Sequence, residues 1–356
     1  MKRKLCTLFL TIAMALSLVS CSGPKSDSGP VSSQTGTQSE QSSAQKQGAY
    51  PVTLIDAAGR EVTIEEQPEQ IVSGYYITTS MLMALGQTNR LVGIEAKADT
   101  RPIYQLAAPE LLELPNVGTA KAFDLEGCAA LHPDLVILPL KLKDTIPALE
   151  ELNIPVLAVN PENLEQFNET IQLLGAAVGA EEQTQALLNY NQQTQEFLTK
   201  TLSNVEPPKV YLAGNSSYLS TAGGAMYQNA LLELGGGENV AAELEDRYWV
   251  EVSYEQLLAW NPEVIIMASD AAYTKEELCA DPQLAQLDAV QNGRVYAMPS
   301  TVESWDSPVP SALVGSRWVA SVLHKKAYDF AQFQQDASDF YQQFYGIQVD
   351  TAGLSQ

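Results

Sequence analysis

The chain has 356 residues, 45% of them apolar, which is longer than one ordinary domain of about 100–200 residues and apolar enough to fill more than one core. Its 20 basic against 43 acidic residues give a formal charge of −23, which excludes a nucleic-acid surface, since that needs a basic stripe. Two His and four Cys without paired short spacing exclude a multi-His metal site, a Cys-ligated zinc knuckle and a disulfide scaffold.

Lys2, Arg3 and Lys4 precede an apolar run, Leu5 to Val19, that is too short for a stable spanning helix. The run ends in Leu18-Val19-Ser20-Cys21, which resembles a bacterial lipobox. Residues 1–20 are therefore expected to be a removed signal, with Cys21 lipidated. Loss of the three cations takes the charge to −26. From Ser22 to Ala49, 21 of 28 residues are Ser, Gly, Gln, Thr or Pro. Such a segment cannot offset its ordering entropy, so residues 21–49 read as an anchor and a flexible tether of about 30 Å root-mean-square span. The expected location is the extracytoplasmic face of the cell membrane.

The folded part begins near Tyr50. Alternating Val52, Leu54, Val62 and Ile64 around Ala58-Gly59 predict a β-hairpin. Short apolar runs then alternate with helical patterns, which predicts an α/β protein with mainly parallel sheets. Strands are expected at Gln70–Ser73, Leu91–Ile94, Leu135–Leu138 and Pro155–Val159, and again at Lys209–Ala213, Val264–Ala268 and Val295–Met298. A helix is expected with Asn160 as its cap and Pro161 in its first turn, placing Leu164, Phe167, Ile171 and Leu174 on one face.

The sequence echoes itself. Phe123 to Leu138 and Val252 to Met267 align at an offset of 129, with Glu126 on Glu255, Pro133 on Pro262 and Asp134 on Glu263. Each copy reads as a cap (Asp124, Ser253), a short helix, a Pro-marked stop and a buried strand. Pro68 to Tyr76 pairs likewise with Pro207 to Asn215. Two similar lobes explain both matches, at residues 50–179 and 204–348. Between them 180–203, free of Gly and Pro, predicts one joining helix of about 36 Å.

These pieces in this order resemble the ABC-importer substrate-binding proteins for ferric siderophores, haem or corrinoids. The resemblance covers Tyr50 to His324 and rests on Asp56–Val72, Pro115–Glu126, His132–Leu138, Gly235–Val240, Tyr254–Ile266 and Asn292–Ser300. It implies two Rossmann-like lobes joined by one long helix, with the ligand cleft between them. It also implies docking of a monomer, with no cofactor, onto a permease dimer driven by a cytoplasmic ATPase. In that family a Glu at the position of Glu126 and of Glu255 pairs with Arg on the permease. One departure is Thr79-Ser80, where the family often has Thr-Glu; that loop is expected to face the cleft.

In open α/β sheets ligands meet the loops beyond the carboxyl ends of strands. Those loops hold the ligand-binding candidates Tyr75, Tyr76, Arg101, Lys121, Lys141, Tyr218, Arg247, Trp249 and Trp305, together with Tyr104, Lys143 and Asp306. Cations gathered there in an acidic chain would select an anionic metal chelate, and the rings would supply flat faces. Trp260, Trp318, His132 and His324 read as structural, and Cys128 and Cys279 as buried thiols. The leading expectation is capture of an iron complex, with a corrinoid as the alternative cargo. An enzyme of the tetrapyrrole metal-chelatase kind is disfavoured because no His is left for the cleft. An adhesin or sensor on the same fold stays open.

Overall fold

The computed structural model describes residues 50–245 and 248–354. The expected signal, lipidated Cys21, tether and ligand candidate Arg247 therefore lie outside the described residues. Strand β1 (Val52–Ile55) pairs antiparallel with β2 (Glu61–Ile64), Val52 opposite Ile64, so that Val62 and Ile64 turn inward.

Two four-stranded parallel sheets follow. The first contains β3 (Ile71–Ser73), β4 (Leu91–Ile94), β5 (Leu135–Pro139) and β6 (Val156–Val159), in the order β4-β3-β5-β6. The second contains β7 (Lys209–Ala213), β8 (Glu238–Asn239), β9 (Val264–Met267) and β10 (Val295–Ala297), in the order β8-β7-β9-β10. Both orders place the second strand outside the first and the third on its other side. Apart from the edge strand β8, the strands are largely apolar, because parallel sheets are covered on both faces.

The two internal echoes meet in space. Ile71 pairs with Leu135 in the first sheet, and the equivalent Val210 pairs with Val264 in the second. Asp134 accepts hydrogen bonds from the backbone N–H groups of Glu69 and Gln70, and Glu263 accepts one from Lys209. Asp124 caps Leu125–Ala130 by accepting from Gly127 N–H, and Ser253 caps Tyr254–Trp260 by accepting from Gln256 N–H. Each cap satisfies a helix-end donor and is worth about 1 kcal/mol.

One helix, Glu181–Thr201, runs between the sheets. Its Leu187 and Leu198 enter an apolar core that also holds Ile71 and Ile137 of the first sheet and Val210 and Ile266 of the second. The C-terminal helix Phe330–Tyr345 closes this core with Phe333, Phe340 and Tyr341. No helix among the described residues is long and apolar enough to cross a membrane.

Two segments differ from expectation. The helix expected from Asn160 begins at Leu164, with Asn163 as the cap accepting from Gln166 N–H. Its apolar face is as expected, with Phe167, Ile171 and Leu174 fully buried. Residues 160–162 are instead held by the C-terminal lobe, since Tyr227 N–H donates to the Glu162 carbonyl at 2.9 Å. In the Gly235–Val240 run the helix Tyr227–Leu234 ends on Gly235, and strand β8 follows where no strand is expected.

Candidate functional site

The loops after the strands converge between the lobes on a cavity of about 300 Å³. From the N-terminal lobe come Tyr75 and Tyr76 beyond β3, Arg101, and Pro161 with Glu162 beyond β6. The C-terminal lobe supplies Asn215 beyond β7, Met226 to Gln228 at the start of the helix Tyr227–Leu234, and Tyr248 with Trp249. Asp270 beyond β9, and Ser304, Asp306 and Ser307 beyond β10, complete the wall. Tyr76 Oη donates to Ser307 Oγ at 3.1 Å, which ties the lobes together beside the cavity.

Arg101 is the one cation of this cavity among the described residues. Its guanidinium lies 4.1 Å from the centre of the Tyr76 ring, an attraction of ring face and cation that also fixes the plane of the fork. Its Nε is buried without a partner in the protein. Tyr75 packs edge-on against Tyr76, centroids 5.3 Å apart. Beneath them Glu95, 6% exposed, accepts from Thr79 Oγ1 at 2.7 Å and Tyr104 Oη at 2.8 Å. Burial pushes its carboxyl above the usual range, and these hydrogen bonds pull it part of the way back.

Trp249 stands against Gly214 at the end of β7. A Cβ at 214 would lie 2.8 Å from the indole and 3.0 Å from the Ser220 carbonyl, so only glycine lets the ring sit there. Asp306, 3% exposed, and Glu303, 4% exposed, are each pushed up to about 7, first by burial. Glu303 accepts from Ser311 Oγ at 2.5 Å and Tyr345 Oη at 3.3 Å behind the cavity wall.

A second cavity of about 370 Å³ adjoins the first, sharing Tyr75, Pro161, Glu162 and Tyr248. Lys141 and Lys143 line its far side. The two together form a trough with Arg101 in one part and two lysines in the other. Among the described residues no cluster of three or more His, Cys, Asp or Glu could hold a bare metal ion.

The family model described as periplasmic binding protein matches residues 71–302. The chain belongs to the periplasmic binding protein family. It is similar to the molybdate-binding protein MolA of Haemophilus influenzae, 25% identical over 82% of this chain and 90% of that protein. Another relative is the uncharacterized ABC transporter substrate-binding lipoprotein YvrC of Bacillus subtilis, 28% identical over 73% of this chain and 82% of its own. Among solved structures, molybdate-bound MolA superimposes with a TM-score of 0.75 at 24% identity, covering 84% of this chain and 99% of the other. A periplasmic solute binding protein from Veillonella parvula gives 0.74 at 23% identity, covering 85% and 95%. At these identities the two structures speak for the fold, two α/β lobes around a cleft.

Of the sequence-based candidates, Tyr75, Tyr76, Arg101 and Trp249 line the first cavity and Lys141 the second. Five expectations need correction. Trp305 is fully buried, its Nε1–H donating to Tyr341 Oη at 2.9 Å, so it offers no face to a ligand. Tyr218 lines neither cavity and spends its hydroxyl on Asp281 at 2.7 Å. Lys121 is exposed in the turn of a short hairpin, and only its neighbour Ala120 reaches the second cavity. Thr79 and Ser80 are buried, Thr79 on Glu95, so that departure from the family does not face the cleft. Tyr104 is likewise buried on Glu95. Glu126 and Glu255 are exposed in the first turns of their helices. Cys128 is buried, which pushes its thiol up to about 12, and Cys279 is half-buried. Glu162, Asn215, Gln228 and Asp270 were not foreseen. The strand-end rule could have found Asn215 and Asp270; Gln228 carries no signal in the sequence.

Proposed function

We propose that the chain is the substrate-binding component of an ABC importer and that its cargo is an anionic iron complex of siderophore size. The observation that carries this is Arg101: a guanidinium pinned on Tyr76, facing a cavity, with its Nε still unpartnered. The trough has the size of a pocket for a molecule of many atoms, and its lysine end suits a second anionic group. In this reading Cys21 carries the lipid, the tether spans to the membrane, and Glu126 and Glu255 meet the permease dimer. A corrinoid, larger than either cavity, would require the lobes to stand further apart.

A second reading, a molybdate-type oxyanion, is favoured by the similarity to MolA over most of both chains. Titrating tryptophan fluorescence with a ferric catecholate chelate, haem, cobalamin and molybdate separates these, because Trp249 lies on the cavity wall and Trp305 and Trp318 are buried. Arg101→Ala should weaken the ferric chelate at least about tenfold, the lower end of the scale for hydrogen bonds to charged groups. Unchanged affinity in that variant would sink the iron-complex reading.

A further inference from the structure

Four buried polar atoms around the cleft have no hydrogen-bond partner in the protein: Arg101 Nε, Tyr227 Oη, Gln228 Oε1 and Asp306 Oδ1. All four residues line the same 300 Å³ cavity. A buried polar atom left unpaired costs about 1–3 kcal/mol, and folded proteins pair nearly all of them. Their gathering around one cavity marks a place that an occupant completes.

The four atoms are not alike. Arg101, from the N-terminal lobe, can only donate. Gln228 and Asp306, from the C-terminal lobe, accept, and the hydroxyl of Tyr227 can do either. The Gln228 amide nitrogen donates to the Asp306 carbonyl at 2.7 Å, which leaves the amide oxygen as the free end. The nearby Asn215 Nδ2 and Ser269 Oγ are spent on the backbone carbonyls of Ser269 and Pro299, which leaves Asp306 Oδ1 unpartnered.

We propose that Gln228 and Asp306 form a receptor for a hydrogen-bond-donating group of the cargo, a hydroxyl, amide N–H or ammonium, opposite the acceptor group held by Arg101. This deepens the reading of the cleft as the cargo site and rests on it. The cargo is then two-ended: an anionic face towards Arg101 and a donor-bearing face on the floor of the C-terminal lobe. A bare oxyanion has no donor to give and would set its charge beside Asp306, Asp270 and Glu162. Haem likewise carries no ammonium or amide on its rim. A chelate decorated with amine, amide or hydroxyl groups meets both ends. Burial first, and then the neighbouring Asp270, raise the Asp306 carboxyl to about 7. Tyr76 and Tyr227 also face it, and Arg101 and Glu162 share the cavity. A donor seated on Oδ1 would favour the ionised form.

The test uses the full chain and two ferric catecholate chelates that differ only in a peripheral group, a primary amine in one and a methyl in the other. Molybdate and cobalamin complete the panel. The wild type should bind the amine chelate about tenfold more tightly than the methyl chelate. In Asp306→Asn an NH₂ donor takes the place of one of the acceptor oxygens at the same position on the cavity wall. That variant should lose the preference and bind molybdate more tightly than the wild type does. Gln228→Leu should lose part of the preference. Without cargo, Asp306→Asn should melt at or above the wild-type temperature, since an unpaired buried carboxylate has been removed. Equal wild-type affinity for the two chelates would overturn the receptor, as would an Asp306→Asn variant that melts lower yet keeps the preference. Binding of cobalamin alone, weakened by Asp306→Asn, would reject the iron-complex reading while keeping the donor receptor, because the corrinoid rim carries amides. Binding of molybdate alone would reject both.

Discussion

His132 in the N-terminal lobe and Asn261 in the C-terminal lobe both hold left-handed backbone, φ 51° and 41°, each immediately before a proline. They stand 129 residues apart, the same offset that relates Glu126 to Glu255 and Ile137 to Ile266. The repetition thus extends from sheet order and caps to single dihedral angles. At the cleft it stops. The N-terminal lobe brings Arg101, Lys141 and Lys143, while the C-terminal lobe brings Asp270, Asp306 and Gln228. Two copies of one frame keep whatever both need in order to fold, and they diverge where each grips a different end of one molecule.

The largest effect is expected outside the cleft, where Glu126 and Glu255 are still equivalent. Glu126→Ala and Glu255→Ala should each reduce uptake of labelled cargo by cells, and the double variant should nearly abolish it. Truncating one partner of a buried interfacial charge pair costs about 2–5 kcal/mol. Cargo affinity should hardly change, because both carboxylates are exposed and line neither cavity. Normal uptake by a folded double variant would break the equivalence.

Next in size is the shared core. Ile137 and Ile266 are fully buried on matching strands, so Ile137→Ala and Ile266→Ala should each cost about 2–5 kcal/mol in urea unfolding. Because both residues belong to one core, each variant should still unfold in a single transition; two separated transitions would show that the lobes unfold independently.

The smallest effect separates the two turns. His132→Gly should gain about 0.5–1 kcal/mol, since glycine holds the left-handed conformation without steric cost. Asn261→Gly should lose stability instead. The Asn261 side chain accepts from Asp288 N–H and donates to the Asp288 carboxylate, both at 3.0 Å, so it also satisfies a first-turn donor of the short helix Asp288–Gln291. Thermal melts of the two variants that shift in the same direction would show that the turns are alike after all.

This contrast also explains what could be read from the sequence. The lobes announce themselves because the central strands β3, β5, β7 and β9 are almost wholly buried and the two echoed short helices start on residues whose side chains cap them, Asp124 and Ser253. The helix starts at Leu164, three residues later than expected, because Asn160-Pro161 carries the same local signal as Asn163. Only a bond from the other lobe, Tyr227 N–H to Glu162, decides between them. Strand β8 is two residues long, too short for any periodicity to show. Trp305 sits in a polar stretch, yet its indole N–H finds Tyr341 from 36 positions away and the ring is buried. Arg101 could be picked out as a scarce cation at a strand end. The unpaired state of Asp306 and Gln228 could not, because burial comes from packing that no local pattern records.

Trp249 owes its place to what residue 214 lacks. One methyl group there would push against the indole on one side and the Ser220 carbonyl on the other, so the ring would have to leave the wall. Cleft width in this region is therefore inherited through a position that lies behind the wall rather than on it. In a lineage descended from this chain, cargo size could drift by substitution at 214 while every lining residue stayed the same. A comparison restricted to the lining residues would find two such proteins identical.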